Sequence, residues 1–124
     1  MRKALFALAW LPALAQALPS CDATLVPCTH QGATLEVGPR PLRSQVPITL
    51  TLHLALPAEV ASLVGQLEGV EMYMGLVPAP FRRVGPDRFE ATVQLARCAH
   101  GPMTWQLSVQ QSRFLLRLDQ AANK

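Results

Sequence analysis

Two short segments of the sequence contain side chains that bind soft metal ions. In residues 69–75 (GVEMYMG), Met72 and Met74 are two positions apart, so both side chains face one side if the segment is a strand. In residues 98–103 (CAHGPM), a thiol, an imidazole and a thioether surround a turn. Thioether, imidazole and thiolate are soft or borderline ligands, and Cu(I) prefers soft ones. The sequence therefore predicts a Cu(I) site formed by Met72, Met74, His100 and Met103.

Cys98 belongs to this predicted site only if it is not in a disulfide, because only a free thiolate binds the metal. The site also needs a fixed tautomer of His100, which a second hydrogen bond to the ring would provide.

The same methionines have a competing structural interpretation. An apolar stripe runs through Val70, Met72, Met74 and Leu76, and Met103 continues the inward face of the strand around Trp105. Methionine is a common filler of apolar cores, so both interpretations stay open at this point.

The pattern of the remaining polar residues does not indicate an enzyme. The sequence has no Gly-x-Ser-x-Gly motif and no glycine-rich phosphate loop after a strand, and its carboxylates are scattered singly. The three histidines, His30, His53 and His100, lack the H-x-x-x-H spacing of a metal centre. We therefore expect a binding protein that catalyses no reaction.

Length, composition and charge limit the number of domains and the kinds of partner that this protein can have. The chain has 124 residues, enough for one domain, and half of them are apolar. The formal net charge is +3, and two of the positive charges are Arg2 and Lys3 at the extreme N-terminus. The rest of the chain is almost neutral, which argues against nucleic acid as a partner because phosphate binding needs a clustered basic face.

The N-terminal segment has the build of a secretory signal peptide. A basic start precedes an apolar run that is too short to span a bilayer comfortably, and Ala15-Gln16-Ala17 provides small residues for cleavage. We expect residues 1–17 to be removed and the protein to be periplasmic or secreted. In an alternative interpretation, residues 18–21 (LPSC) form a lipobox and lipidation at Cys21 tethers the protein to a membrane.

Export to an oxidising compartment predicts one disulfide among the three cysteines. A Cys28–Cys98 bridge closes a long loop, and loop-closure entropy favours it, since such a bridge is worth about 4 kcal/mol in the chain-entropy model. The alternative, Cys21 with Cys28, closes only a small local loop. The remaining cysteine is a lipidation site, a thiol for a metal, or an unpaired residue.

Alternating apolar and polar residues predict about seven short strands. Ile48, Leu50 and Leu52 share one face of a long strand, and a hairpin turns at residues 85–87 (GPD). Residues 57–61 are predicted to form a short helical turn, followed by a strand that continues through Gly69 to Met74. Turn signals at this spacing favour an all-β, antiparallel, immunoglobulin-like β-sandwich over residues 32–119. An N-terminal segment (18–31) precedes it, and a loose tail (120–124) follows it.

The motifs around Met72, Met74, Gly75, Cys98 and Trp105 resemble those of small, mostly uncharacterised bacterial periplasmic proteins with a Met-x-Met-Gly strand end. The layout of residues 32–118 is similar to that of immunoglobulin-like domains of the YtkA/FixH kind, which are linked to copper and cytochrome oxidase assembly. The resemblance implies a β-sandwich in the cell envelope and hints at a metal.

The sequence thus predicts a small exported protein that binds Cu(I) for delivery, sequestration or oxidase assembly. The alternative is a metal-free interaction module, stabilised by the Cys28–Cys98 bridge, that docks on an unknown envelope protein through an edge strand.

Overall fold

The computed structural model describes residues 20–99 and 101–119, and this part of the chain consists of strands, turns and loops without a helix. The predicted signal peptide, residues 120–124 and His100 lie outside the described residues. The nine strands are β1 (Cys21–Asp22), β2 (Cys28–His30), β3 (Ala33–Gly38), β4 (Ile48–His53), β5 (Ser62–Gly69), β6 (Leu76–Gly85), β7 (Arg88–Val93), β8 (Thr104–Val109) and β9 (Ser112–Arg117).

All nine strands belong to one sheet, in the order β1-β9-β8-β5-β6-β7-β4-β3-β2. Every neighbouring pair is antiparallel except β1 and β9, which run parallel. The all-β, mainly antiparallel prediction is confirmed. The structure does not divide into the two sheets of a seven-stranded sandwich, because β5 pairs with β6 on one side and with β8 on the other.

The two ends of the strand order meet, which makes the sheet barrel-like. The Cys21–Cys28 disulfide joins β1 to β2. The Ser112 hydroxyl and the Arg113 backbone N–H, both on β9, donate to His30 on β2 over 2.7 and 3.0 Å. We call the junction of β1, β2 and β9 the seam.

Alternation along the strands builds the core inside the curled sheet. Ile48, Leu50 and Leu52 on β4 are buried, as are Phe89, Ala91 and Val93 on β7, in agreement with the sequence pattern. The bulkiest fully buried side chain is Trp105, whose indole N–H donates to the Ala96 carbonyl over 2.9 Å.

Three tight turns lie at one end of the sheet, together with the longer β4–β5 connection (54–61), whereas the other long connections lie at the opposite end. Tight turns at residues 31–32, 86–87 and 110–111 join strands at one end, and each has a non-glycine residue at positive φ, namely Gln31, Asp87 and Gln110. The strand registers place the connections 39–47, 70–75 and 94–103 together at the other end, beside residues 23–27. We call this second end the loop end, and exposed loops on a rigid sheet are where binding residues concentrate.

Candidate functional site

The two methionines of the first motif lie on a loop and not on a strand. Strand β5 ends at Gly69, and residues 70–75 turn back toward β6 at the loop end. We call residues 70–75 the methionine loop. A Cβ on Gly69 would collide with the Met72 carbonyl oxygen, so the absence of a side chain there allows the chain to fold back.

Both methionines of this loop reach solvent. Met72 is 43% exposed and Met74 is 37% exposed, and neighbouring Val70 and Tyr73 are more exposed still. The predicted strand through Val70, Met72 and Met74 is therefore wrong, and so is the idea that this apolar stripe fills the core. The period-two pattern failed here because a glycine, and not the alternation, decides where the strand ends.

Glu71 fastens the methionine loop to the sheet. Its carboxylate accepts the Thr104 backbone N–H over 2.6 Å and the Thr104 hydroxyl over 2.7 Å. A third hydrogen bond joins the same two segments, because the Thr104 carbonyl accepts the Val70 N–H over 2.8 Å. Burial raises the pKa of Glu71, but the hydrogen bonds from Thr104 outweigh burial and hold this pKa below its ordinary value.

The sequence did not single out Glu71 or Thr104. The one available signal was a lone carboxylate within an otherwise uncharged loop, because such a residue often caps nearby backbone N–H groups.

The second motif places a thiol against a thioether beneath the methionine loop. Cys98 is unpaired and buried, and its Sγ lies 3.2 Å from Sδ of Met103, which is also buried. The Met103 methyl group approaches Gly69, the same residue that the Met72 carbonyl covers. The two sulfur-bearing segments therefore meet at Gly69, with Met72 and Met74 at the surface and Met103 inside.

The predicted Cys28–Cys98 bridge is wrong. Cys28 bonds to Cys21 with a Cα–Cα distance of 6.0 Å. The reason is topological: curling of the sheet brings β1 and β2 side by side, whereas Cys98 lies in the β7–β8 connection at the loop end. The disulfide engages the Cys21 sulfur, and the alternative of a lipid tether at Cys21 stays a prediction.

Across residues 20–99 and 101–119, no three or more His, Cys, Asp or Glu side chains group to hold a metal ion. Methionine sulfurs are a separate donor class. Within the same ranges, no helix has the length and hydropathy to cross a membrane.

A groove of about 490 Å³ lies at the loop end, and Leu118 in its wall donates its backbone N–H to the Met103 carbonyl over 3.0 Å. Leu42 and Leu118 are buried along it, and Arg117 is fastened beside it by two contacts to Asp22, at 2.8 and 2.9 Å. Burial raises the pKa of Asp22, but hydrogen bonds from Thr24 and the Arg117 guanidinium lower it below its ordinary value. Sequence periodicity did not indicate this groove, because its walls come from distant segments.

Exposed apolar side chains are concentrated at the loop end. Val64 and Val84 lie elsewhere on the sheet. The other large exposed apolar residues lie in or next to the connections of the loop end, and they are Leu25, Val26, Val46, Val70, Met72, Tyr73, Met74 and Leu76.

No protein-family model matches this chain, and no curated protein or solved structure is significantly similar to it. The function must therefore be argued from the residues and their geometry.

Proposed function

We propose that this protein is a non-catalytic, extracytoplasmic protein that binds Cu(I) at its loop end. Cys98 and Met103 provide the inner sulfur ligands, and Met72 and Met74 provide outer ligands that solvent and a partner protein can reach. His100, from the same predicted set, completes the site in this proposal.

One observation supports the proposal above all. A free thiol and a thioether are in contact at 3.2 Å, directly beneath a loop that carries two further thioethers. Apart from Met1, the chain has only these three methionines, and all of them come to one end of the sheet. Thiolate and thioether donors select Cu(I) over the harder divalent ions.

The extracytoplasmic location rests on the leader-like N-terminus together with the disulfide. Disulfides persist in oxidising compartments and are rare in the cytosol of mesophiles. In the same compartment Cys98 stays reduced because it is buried, away from oxidants and from the paired cysteines.

The test is a Cu(I) titration in competition with a chromogenic Cu(I) chelator. Ascorbate serves as the reductant for copper, because a thiol reductant opens the Cys21–Cys28 disulfide and creates new ligands. Cys98→Ser and the Met72→Leu/Met74→Leu double variant are expected to weaken binding at least tenfold. Leu116→Met, a swap of similar volume in the core, is the matched control and is expected to bind as the parent does. Equal affinity in all variants contradicts the proposal.

A second candidate function is favoured by the apolar side chains at the loop end. In this alternative the loop end is a metal-free docking surface for an envelope protein, since exposed apolar side chains clustered on loops are typical of interaction sites. The disulfide that would stabilise such a module is Cys21–Cys28, in place of the predicted bridge.

One pair of variants separates the two functions. Met72→Leu/Met74→Leu removes sulfur and keeps the apolar area, whereas Val70→Asp/Tyr73→Asp keeps sulfur and removes apolar area. Loss of the cellular function in the first pair alone supports the metal site. Loss in the second pair alone supports the docking surface, with Val64→Asp as the control for an equally exposed residue outside the loop end.

A further inference from the structure

The ring of His30 at the seam is fixed in one tautomer by its hydrogen bond to β9. Nδ1 lies 3.0 Å from the Arg113 backbone nitrogen, which can only donate. Nδ1 must therefore be the acceptor, and the proton of the neutral ring must be on Nε2. Nε2 is inaccessible to solvent and has no hydrogen-bond partner in the described part of the chain.

His30 also carries the other hydrogen bond across this part of the seam. Its carbonyl accepts the Ser112 hydroxyl over 2.7 Å, so backbone and side chain of the same residue attach β2 to β9. The ring meets Phe114, the next inward residue of β9, edge-on with centroids 6.4 Å apart. The Cys21–Cys28 disulfide cross-links β2 to β1, in addition to the connecting residues 23–27.

We propose that His30 is a proton-sensitive latch that holds the seam closed at neutral pH and releases β2 from β9 on acidification. A protonated imidazole has N–H on both nitrogens, so Nδ1 can no longer accept the Arg113 N–H. The same proton places a charge on a ring whose Nε2 is buried without an acceptor in the described part of the chain, which is unfavourable.

The surroundings do not offset this charge. On β9 the adjacent ionisable residue is Arg113, itself a cation, and on β3 the residue paired with His30 is Ala33. On β1 the carboxylate of Asp22 is already engaged by Thr24 and Arg117. Protonation of His30 therefore opposes the closed seam.

The disulfide sets how far the seam opens. With Cys21 bonded to Cys28, β2 stays tethered to β1 and the opening is local. Without this bond, loss of the Arg113–His30 hydrogen bond leaves the Ser112 hydroxyl bond and the pairing with β3 to hold β2 in place.

His53 provides an internal control with the opposite expectation. It is half-exposed on β4, and its Nε2 lies 4.0 Å from the Glu36 carboxylate. A proton on His53 forms an ion pair, whereas a proton on His30 breaks a hydrogen bond.

The test is NMR on the disulfide-intact protein between pH 7.5 and pH 5. The imidazole nitrogen shifts of His30 are expected to report the Nε2–H tautomer at pH 7.5. On acidification, the Arg113 amide is expected to lose about tenfold or more of its protection from hydrogen exchange, after correction for the intrinsic rate, because its hydrogen bond is lost. The Leu50 amide, in the core strand β4, is expected to keep its protection.

Two variants show whether His30 causes the loss of protection at the Arg113 amide. His30→Gln keeps an acceptor that does not titrate, so protection of Arg113 should be retained at both pH values. His53→Phe should behave as the parent protein does. An Nδ1–H tautomer at His30, or the same loss of Arg113 protection in His30→Gln as in the parent, overturns the proposal. If His30→Gln does not fold, the parent protein still tests the proposal. An Nδ1–H tautomer at His30 overturns it, and so does an Arg113 amide that keeps its protection on acidification.

Discussion

Cys98 Sγ lies 3.2 Å from Met103 Sδ, and the pair is buried beneath the loop that carries Met72 and Met74. A buried thiol normally behaves as a small apolar group. Here the thiol and its thioether neighbour lie at the loop end, where the Met103 methyl group approaches Gly69 at the start of the methionine loop.

Gly69→Ala is predicted to displace the methionine loop. The new methyl group would collide with the Met72 carbonyl and lie 2.7 Å from the Met103 methyl, so both sulfur-bearing segments must move. We expect weaker Cu(I) binding and faster hydrogen exchange at Val70, with most of the fold retained. Gly38→Ala is the control, because a Cβ there meets no atom within 4 Å. Parent-like Cu(I) affinity in Gly69→Ala contradicts the role assigned to this contact.

Glu71→Gln is predicted to loosen the same loop in a pH-dependent way. The pKa of Glu71 is lowered in the folded protein, so its contribution to stability is present above the unfolded-state pKa and is lost as the pH falls through the folded-state pKa. In the parent protein, the Thr104 amide should lose protection in the acid range below the ordinary glutamate value. In Glu71→Gln, protection should be lower at pH 7 and lack this acid step. An identical acid step in both proteins assigns it to another group.

Arg83→Ala is predicted to destabilise the connection between β4 and β5. The Arg83 guanidinium donates to the carbonyls of Val60 and Pro57, both over 2.8 Å, and lies 4.7 Å from the centre of the Phe89 ring. Loss of these contacts should lower the free energy of unfolding by about 1–3 kcal/mol, measured by urea denaturation. Arg83→Lys keeps the charge but not the paired donors and should give an intermediate value. Arg82→Ala, on the outer face of the same strand, is the control with little expected effect.

Trp105→Phe is predicted to cost stability through one lost donor. The substitution leaves the Ala96 carbonyl without the indole N–H that it accepts at 2.9 Å, and it removes volume from a fully buried position. We expect a loss of about 1–3 kcal/mol in urea denaturation. Phe81→Leu is the control, because it removes volume from the core without changing a hydrogen bond. An equal loss of unfolding free energy in both variants would assign the effect of Trp105→Phe to volume alone.

The sequence predicted the strands well where alternation and core packing agree, as at Ile48, Leu50 and Leu52. It failed at Met72 and Met74 because alternation continues past Gly69 although the backbone turns there. It also failed at Cys28, since loop entropy favours the distant Cys98 whereas the closed sheet places Cys21 beside it. The contacts of Glu71 and His30 depend on strand order, which single-sequence periodicity does not determine. The YtkA/FixH resemblance and the Cu(I) assignment stay predictions.

X-ray absorption of the copper-loaded, disulfide-intact protein identifies the atoms that bind the metal. We expect Cu(I) with a coordination shell dominated by sulfur, which loses sulfur in Cys98→Ser and in Met72→Leu/Met74→Leu. A shell of nitrogen and oxygen that neither variant changes contradicts the Cu(I) proposal.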